Sequence, residues 1–442
     1  MEKESSFKIP QNITSMISGD DKVNAAMTYL LGYANALTDV KKKQMSNTFK
    51  TELSSMIIGV MEEIKKLKNL GMLYFFIGIK PIAEFNKELI KASKTGNLML
   101  LKGLLAIPGI NVNAKDNNGD TALMMASNEG NTEIAKLLLS KPGINVNAKG
   151  NYGDTALMMA SYNGDEEIVK LLLDKPDINI NAKNKVGKTA LIITSYNGDE
   201  EIVKLLLAKP GIDVNAKNIY GYRAFNCRYA KIVELLLFTG SIDVNSTNNN
   251  DGNTALLDAS KNGHTEVVKV LLTVTGINVN AQNKYGKTAL MNASKKGHTE
   301  IAKLLLKVSD IKVNLQDNDN NGDTALMMAS KKGHIEIVNL LLRNTGIDVN
   351  VQNKYGDTAL LYASDYRNIA SDYRNIALYD YADISSDYRR LNLIYRHKDV
   401  VKLLLAVPDL KINIKNNDGE TPLMLMLILK RNMDSLTYNL RK

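Results

Sequence analysis

The chain has 442 residues, with 56 lysines and arginines against 47 aspartates and glutamates, for a formal net charge of +9. Spread over this length, that excess is too thin to make nucleic-acid binding the leading function. The single cysteine, Cys227, excludes an intramolecular disulfide and fits a reducing compartment. Lysine, asparagine, isoleucine and tyrosine are abundant and tryptophan is absent, which reads as the codon bias of an AT-rich genome. Residues 1–85 do not repeat. Asp20–Leu37 and Val40–Asn69 read as helices, the second carrying Leu53, Ile57, Val60 and Ile64 at mostly helical spacing. The opening residues MEKESSFKIPQ lack the apolar stretch of a signal peptide. Leu70–Ile79 is the most apolar run, but a spanning helix needs about 20 residues, so a buried helix is expected there, with a membrane-surface anchor as the alternative. The region holds no histidine or cysteine. It reads either as a packing extension of the repeating region C-terminal to it or as a separate binding or oligomerising domain.

From residue 86 onward the chain repeats. Gly119, Gly153, Gly187 and Gly221 recur every 34 residues, and the series continues through Gly252, Gly286, Gly322, Gly356 and Gly419. A fixed period in this range means stacked units and not one globular core. In the unit that starts at residue 117, Asn117-Asn118-Gly119-Asp120 is turn chemistry. Thr121 stands where an N-cap hydroxyl would bind the first free amides of a helix, and Gly130 ends that helix as a C′ glycine. Ile134, Leu137 and Leu138 give the second helix an apolar stripe. Lys141-Pro142-Gly143 stops it, and Ile144-Asn145-Val146-Asn147 alternates like a short hairpin arm. Ala126, Ala160, Ala259, Ala293, Ala329 and Ala363 mark where helices approach closely, with Thr194 the odd one. Pro108, Pro142, Pro176, Pro210 and Pro408 recur after the second helix.

At Gly119-x-Thr121-Ala122-Leu123 and Gly130-x-x-Glu133-Ile134-x-Lys136-Leu137-Leu138 this pattern resembles the ankyrin repeat, over about residues 86–442. The resemblance implies an all-α-dominated solenoid of stacked helix-turn-helix-hairpin repeats. It departs from the family in two respects: Thr-Pro-Leu-His becomes Thr-Ala-Leu-Met, with the proline kept only at Thr421-Pro422-Leu423, and one residue is added in the Lys-Pro-Gly-Ile turn. The expected organisation is an N-terminal helical region over 1–85, a capping repeat over 86–116, the array over 117–416 and a C-terminal capping repeat over 417–442. Met426 and Leu427 replace the Ala-Ser pair of inner repeats, which is tolerable only where no further unit stacks. The fourth repeat, 219–249, lacks about one turn of its first helix, and Arg223 replaces the capping threonine, so a weak joint is expected there. An insertion over about 365–393 opens with a tandem copy, Ala363–Ile369 and Ala370–Ile376, with a looser copy from Ser385. It reads as a tolerated surface duplication or as a Tyr/Arg-rich contact arm, with Tyr366 and Tyr373 on one face if it is helical.

No catalytic, cofactor or metal site emerges. His264, His298, His334 and His397 each take the same place in their repeats, which is a structural position and no ligand cluster. No phosphate-binding glycine loop is present, and Asp317–Asn321 lacks the spacing and final glutamate of a calcium loop. An enzyme is therefore not expected, nor a small-molecule substrate. The resemblance instead implies that hairpin tips and first-helix faces bind another protein. Candidate contacts are Tyr152, Tyr220, Tyr285 and Tyr355 on the tips, Tyr162 and Tyr196 on the first helices, and Lys295, Lys296, Lys331 and Lys332 in the sixth and seventh repeats. A protein partner with an acidic segment and an apolar anchor would suit such a face. The alternative is a nucleic acid or other polyanion on the lysine stripe of the fifth to seventh repeats. No transmembrane span is expected. The expected location is the cytoplasm, or export of a host-associated bacterial protein by a route without a cleavable signal.

Overall fold

A threonine hydroxyl opens the first helix of most repeats. Thr121 accepts from Met124 N at 3.3 Å, Thr155 from Met158 N at 3.3 Å, and Thr288 from Met291 N at 3.2 Å, satisfying one of the donors that a helix start leaves unpaired. Seven or eight residues later the helix stops, and a glycine in the left-handed region turns the chain. Gly164 and Gly263, with φ of 76° and 79°, are two of these. The computed structural model describes residues 82–106, 109–318, 321–365, 367, 385–428 and 430. The expectations for Asp20–Leu37, Val40–Asn69, Leu70–Ile79 and the pair Tyr366 and Tyr373 lie outside the described residues.

The chain divides into two compact blocks, 1–185 and 186–442. The described helices of the first are α1 (Ile82–Lys94), α2 (Leu98–Leu104), α3 (Ala122–Asn128), α4 (Thr132–Leu139), α5 (Ala156–Asn163) and α6 (Glu166–Leu173). First helices pack in one layer, α1 on α3 and α3 on α5, and second helices in another, α4 on α6. Ala126 and Ala160 are fully buried between the first helices, and Leu138 and Leu172 fully buried among the second. The second block repeats the scheme with α7 (Ala190–Asn197), α8 (Glu200–Leu207), α9 (Ala230–Phe238), α10 (Ala255–Asn262), α11 (Thr265–Leu272), α12 (Ala289–Lys296) and α13 (Thr299–Leu306). It continues with α14 (Ala325–Lys331), α15 (Ile335–Leu342), α16 (Ala359–Ser364) and α17 (Ser385–Leu405). A helix over 422–428 comes last, and Leu423, Met424, Leu427 and Ile428 on it are exposed. The eighth repeat's second helix is thus extended backwards into the insertion. None of the described helices is long and apolar enough to cross a membrane.

The hairpin arms differ from the sequence expectation. Among the described residues the strand pairing amounts to one isolated bridge, Lys115 with Thr121, and Val146-Asn147 lies in a turn. Asparagine side chains take over the bonding. Asn113 donates Nδ2 to Gly143 O at 2.7 Å while its Oδ1 accepts from Asn145 N at 2.8 Å. Asn147 does the same to Asp177 O and Asn179 N, and Asn280 to Asp310 O and Lys312 N. Asn350 bridges the insertion in this way, reaching Asp409 O and Lys411 N at 2.8 Å each. The tips add one backbone bond per junction, such as Asn151 N to Asn118 O at 2.7 Å and Asn417 N to Tyr355 O at 2.8 Å. Gly119 shows why the tip needs glycine: its φ is 75°, and a Cβ would stand 3.0 Å from Asn151 N.

A third tie starts at the residue after the helix-ending glycine, whose place Arg396 takes before His397 in the eighth repeat. Asn131 Nδ2 donates to Ser93 O at 2.8 Å, and the Nε2 atoms of His298 and His397 meet Lys261 O and Lys331 O at 3.3 and 3.2 Å. Each reaches back to carbonyls at the end of the preceding first helix. Asp165 holds the same position with a carboxylate, which cannot donate. Its Oδ2 is buried without a partner, and burial pushes its carboxyl above the ordinary 3.8.

The fourth repeat keeps its second helix, α9, but its first helix shrinks to a single 3-10 turn, Ala224–Asn226. Asn226 Oδ1 accepts from Arg223 N at 3.0 Å. The Arg223 side chain is buried with Nε unpaired, and burial lowers its pKa. Tyr229, just before α9, faces the third repeat, its ring lying so close to Gly198 that a Cβ there would sit 2.6 Å from Cζ.

Two measurements check these features. Amides over 219–249 should exchange with deuterium faster than those of neighbouring repeats, and uniform protection would contradict the weak joint. Asp165→Asn restores a donor and should raise unfolding stability by about 1 kcal/mol at pH 7. Because the folded carboxyl is raised, stability from the neutral acid is present below its ordinary value and is lost as pH rises through the folded one. Urea titrations should therefore show the gain of the variant shrinking toward acid pH.

Candidate protein-binding face

Nothing in the helices or ties just described needs a tyrosine at the turn tips, yet four stand there. Tyr152 is 76% exposed, and Tyr220, Tyr285 and Tyr355 are 48%, 45% and 48% exposed. The tip places them: the residue before the turn glycine contributes its carbonyl to the next repeat, as Tyr152 O does to Lys185 N at 2.9 Å, so its side chain turns outward. On the first helices, Tyr162 is 68% exposed at the end of α5. Tyr196, on α7, is more enclosed at its hydroxyl. Burial, then the nearby Asp258 carboxylate, pushes that hydroxyl far up, which keeps it a neutral donor.

The four lysines separate into two kinds. Lys295 and Lys296 are exposed at the end of α12, whereas Lys331 and Lys332 are half-buried. Lys331 Nζ stands 4.4 Å from the centroid of the Tyr362 ring. That ring is itself fixed, its hydroxyl donating to Asp323 Oδ1 at 2.9 Å, where Asn353 Nδ2 also donates at 2.7 Å. Lys331 thus serves a buried network within the second block. The first block brings together Tyr152 and Tyr162, and the second contains the other eight candidates.

Sequence reading passed over one row of the face. The fourth residue after the capping threonine runs Met125, Met159, Ile193, then Asp258, Asn292, Met328 and Tyr362. Met125 and Met159 are half-buried, while Ile193, Met328 and Tyr362 are buried. Asp258 Oδ1 accepts from Asn253 Nδ2 at 2.8 Å, and burial raises its carboxyl pKa. The usable signal was variability: this position changes between repeats while its neighbours Ala and Leu hardly do.

Among the described residues, no group of histidine, cysteine, aspartate and glutamate is arranged to hold a metal ion. Cys227 is buried, and burial pushes its thiol up to about 11, far from a reactive thiolate. His397 is wholly buried against Lys331 O. Asp317 Oδ1 accepts from Asp323 N at 2.8 Å and so closes its own turn.

Comparison with known protein families agrees with this architecture. A family model described as ankyrin repeats in three copies matches residues 89–184, 222–317 and 310–379, and one described as ankyrin repeats in many copies matches 164–207. A solved crystal structure, of the ankyrin-repeat protein EF0377, is 28% identical. The match covers 43% of this chain and 98% of that one, at a TM-score of 0.40. No curated protein matches the chain.

Because Lys331 lies over the Tyr362 ring and Lys296 is exposed at the end of α12, the two should respond differently to truncation. Lys331→Ala should lower stability by about 1 kcal/mol. Lys296→Ala should change it by less than about 0.5 kcal/mol. Urea unfolding of both variants measures this; equal losses would contradict the assignment.

Proposed function

The chain belongs to the ankyrin-repeat family, and on that premise we propose that it is a non-catalytic scaffold that grips a protein partner along its turn tips and first-helix faces. Ankyrin repeats generally mediate protein–protein interaction, and the family is typically non-enzymatic. The observation that carries the reading is that tyrosines stand exposed on the tips of both blocks, Tyr152 in the first and Tyr220, Tyr285 and Tyr355 in the second. A large ring held in water by a backbone that is already committed to its neighbour gains from being covered. Lys295 and Lys296, exposed on α12, would take an acidic segment of the partner. A polyanion reading would recruit Lys331 as well, and that side chain is already engaged with Tyr362. The lone buried thiol suits the reducing conditions of a cytoplasm.

The test uses the full chain with a photo-crosslinking residue at Tyr152, at Tyr285 and, as a control on a second helix, at Glu167. A discrete protein adduct should form from the first two positions and not from the third. Lys295→Glu with Lys296→Glu should reduce the Tyr285 adduct about tenfold and weaken its salt dependence. Equal adducts from all three positions would overturn the scaffold reading. Salt-dependent retention on DNA or RNA that outcompetes the protein adduct would favour the polyanion reading.

A further inference from the structure

In four repeats, the asparagine three places before the turn glycine donates Nδ2 to the residue just after that glycine in the preceding repeat. Asn184 reaches Asp154 Oδ1 at 2.8 Å, Asn283 reaches Asn253 at 2.7 Å, Asn353 reaches Asp323 at 2.7 Å and Asn416 reaches Asp357 at 3.1 Å. In the second repeat that place is Gly150, and its target, Asp120, receives no such donor. A Cβ at Gly150 would collide with Asp120 Oδ1, so the carboxylate occupies the room that an asparagine fills elsewhere.

The surroundings sharpen the mismatch. Burial first, then the charges of Asp116 and Asp154, push the Asp120 carboxyl above its usual range. The Lys115 charge opposes this and is the smallest of these effects; its Nζ donates to Lys149 O at 2.8 Å. A partner side chain complementary in charge to these carboxylates is an organic cation. Among the described residues of the block, the exposed aromatic side chains are Tyr152, two residues from Gly150, and Tyr162, one helical turn beyond the half-buried Met159. Flexible methionine and rigid tyrosine together suit apolar side chains of varied shape.

We propose that this face of the first block docks a segment of the partner that places an arginine or lysine between Asp120 and Asp154, over Gly150, with neighbouring apolar side chains against Tyr152, Met159 and Tyr162. The proposal rests on the scaffold reading and specifies the partner chemistry at one face. A planar guanidinium matches paired carboxylates best, because its donors form a fixed fork. The cation supplies the donors that the missing asparagine would have provided, and it relieves the repulsion among three acids. The apolar flank removes water from the pair and strengthens it.

The probe is a fluorescein-labelled peptide, acetyl-Leu-Arg-Leu-Leu amide, with a citrulline-for-arginine peptide as its neutral counterpart, titrated against the full chain by anisotropy. The arginine peptide should bind at least about tenfold more tightly than the citrulline peptide, with the difference shrinking at high salt. Asp120→Asn should abolish the difference. Gly150→Asn should abolish it too, by restoring the donor found in other repeats, and should not lower the melting temperature. Equal binding of the two peptides by the parent, or an undiminished difference in Asp120→Asn, would overturn the proposal. Should Gly150→Asn fold poorly by circular dichroism, Asp120→Asn decides alone. Failure here with intact adducts at Tyr152 and Tyr285 would remove the cation slot and leave the scaffold reading standing.

Discussion

Within each block, asparagine side chains hold consecutive repeats in register. Each side-chain amide donates to one backbone carbonyl of the next loop and accepts from a backbone amide two residues on, as Asn113, Asn147, Asn280 and Asn350 all do. A loop that pairs with no strand must satisfy its polar groups in some other way, and this bidentate contact does so while fixing the spacing between loops. The backbone bond between successive tips follows from that spacing, and so does the demand for glycine at the tip. Because the same contact reaches from Asn350 to the loop after the insertion, the array tolerates extra chain between the helices of one repeat. Each repeat answers only to its neighbours, so a defect stays local.

The fourth repeat shows what such a local defect looks like. Losing a helical turn leaves the second helix, α9, in place, with Ile232, Val233 and Leu236 fully buried. The damage falls on the polar groups of the first-helix layer, where Arg223 is enclosed with Nε unpaired. Asp165 is a milder case, an acid at a position that carries a donor in Asn131, His298 and His397. Both depart from the local rule without disturbing the apolar layer, which supplies most of the stabilisation.

The two blocks present different surfaces. The first combines exposed tyrosine, half-buried methionine and a carboxylate, Asp120, without the asparagine donor that Asp154 has in Asn184. In the second, acids such as Asp323 and Asp357 are matched by Asn353 and Asn416, and the exposed charge at the end of α12 is positive. Side chains that make the junctions are already committed, so recognition falls to the tip residue, the end of the first helix and the position four after the capping threonine. Lys331 illustrates the boundary: its charge reads as surface in the sequence, but it lies over a tyrosine ring that hydrogen bonds hold in place.

Much of the fold was legible because its causes are local. The 34-residue glycine period, the capping threonines, the left-handed glycines and the Ile-x-x-Leu-Leu stripes are backbone and burial requirements that act within a few residues, so they appear in every copy. Tyr152 and Tyr162 could likewise be read as exposed, since a tip and a helix end have few neighbours. The sequence alone also marked 219–249 as short. The tertiary structure decided which polar residue meets which, because partners about 30 residues apart come together only after stacking. It turned the expected hairpin arm into an asparagine-bonded loop, placed Lys331 on Tyr362, and left Asp120 facing a glycine where other repeats supply an amide. A periodic sequence shows which positions are constant; whether an exception is satisfied or left wanting depends on the neighbour across the junction, and that neighbour is set by packing.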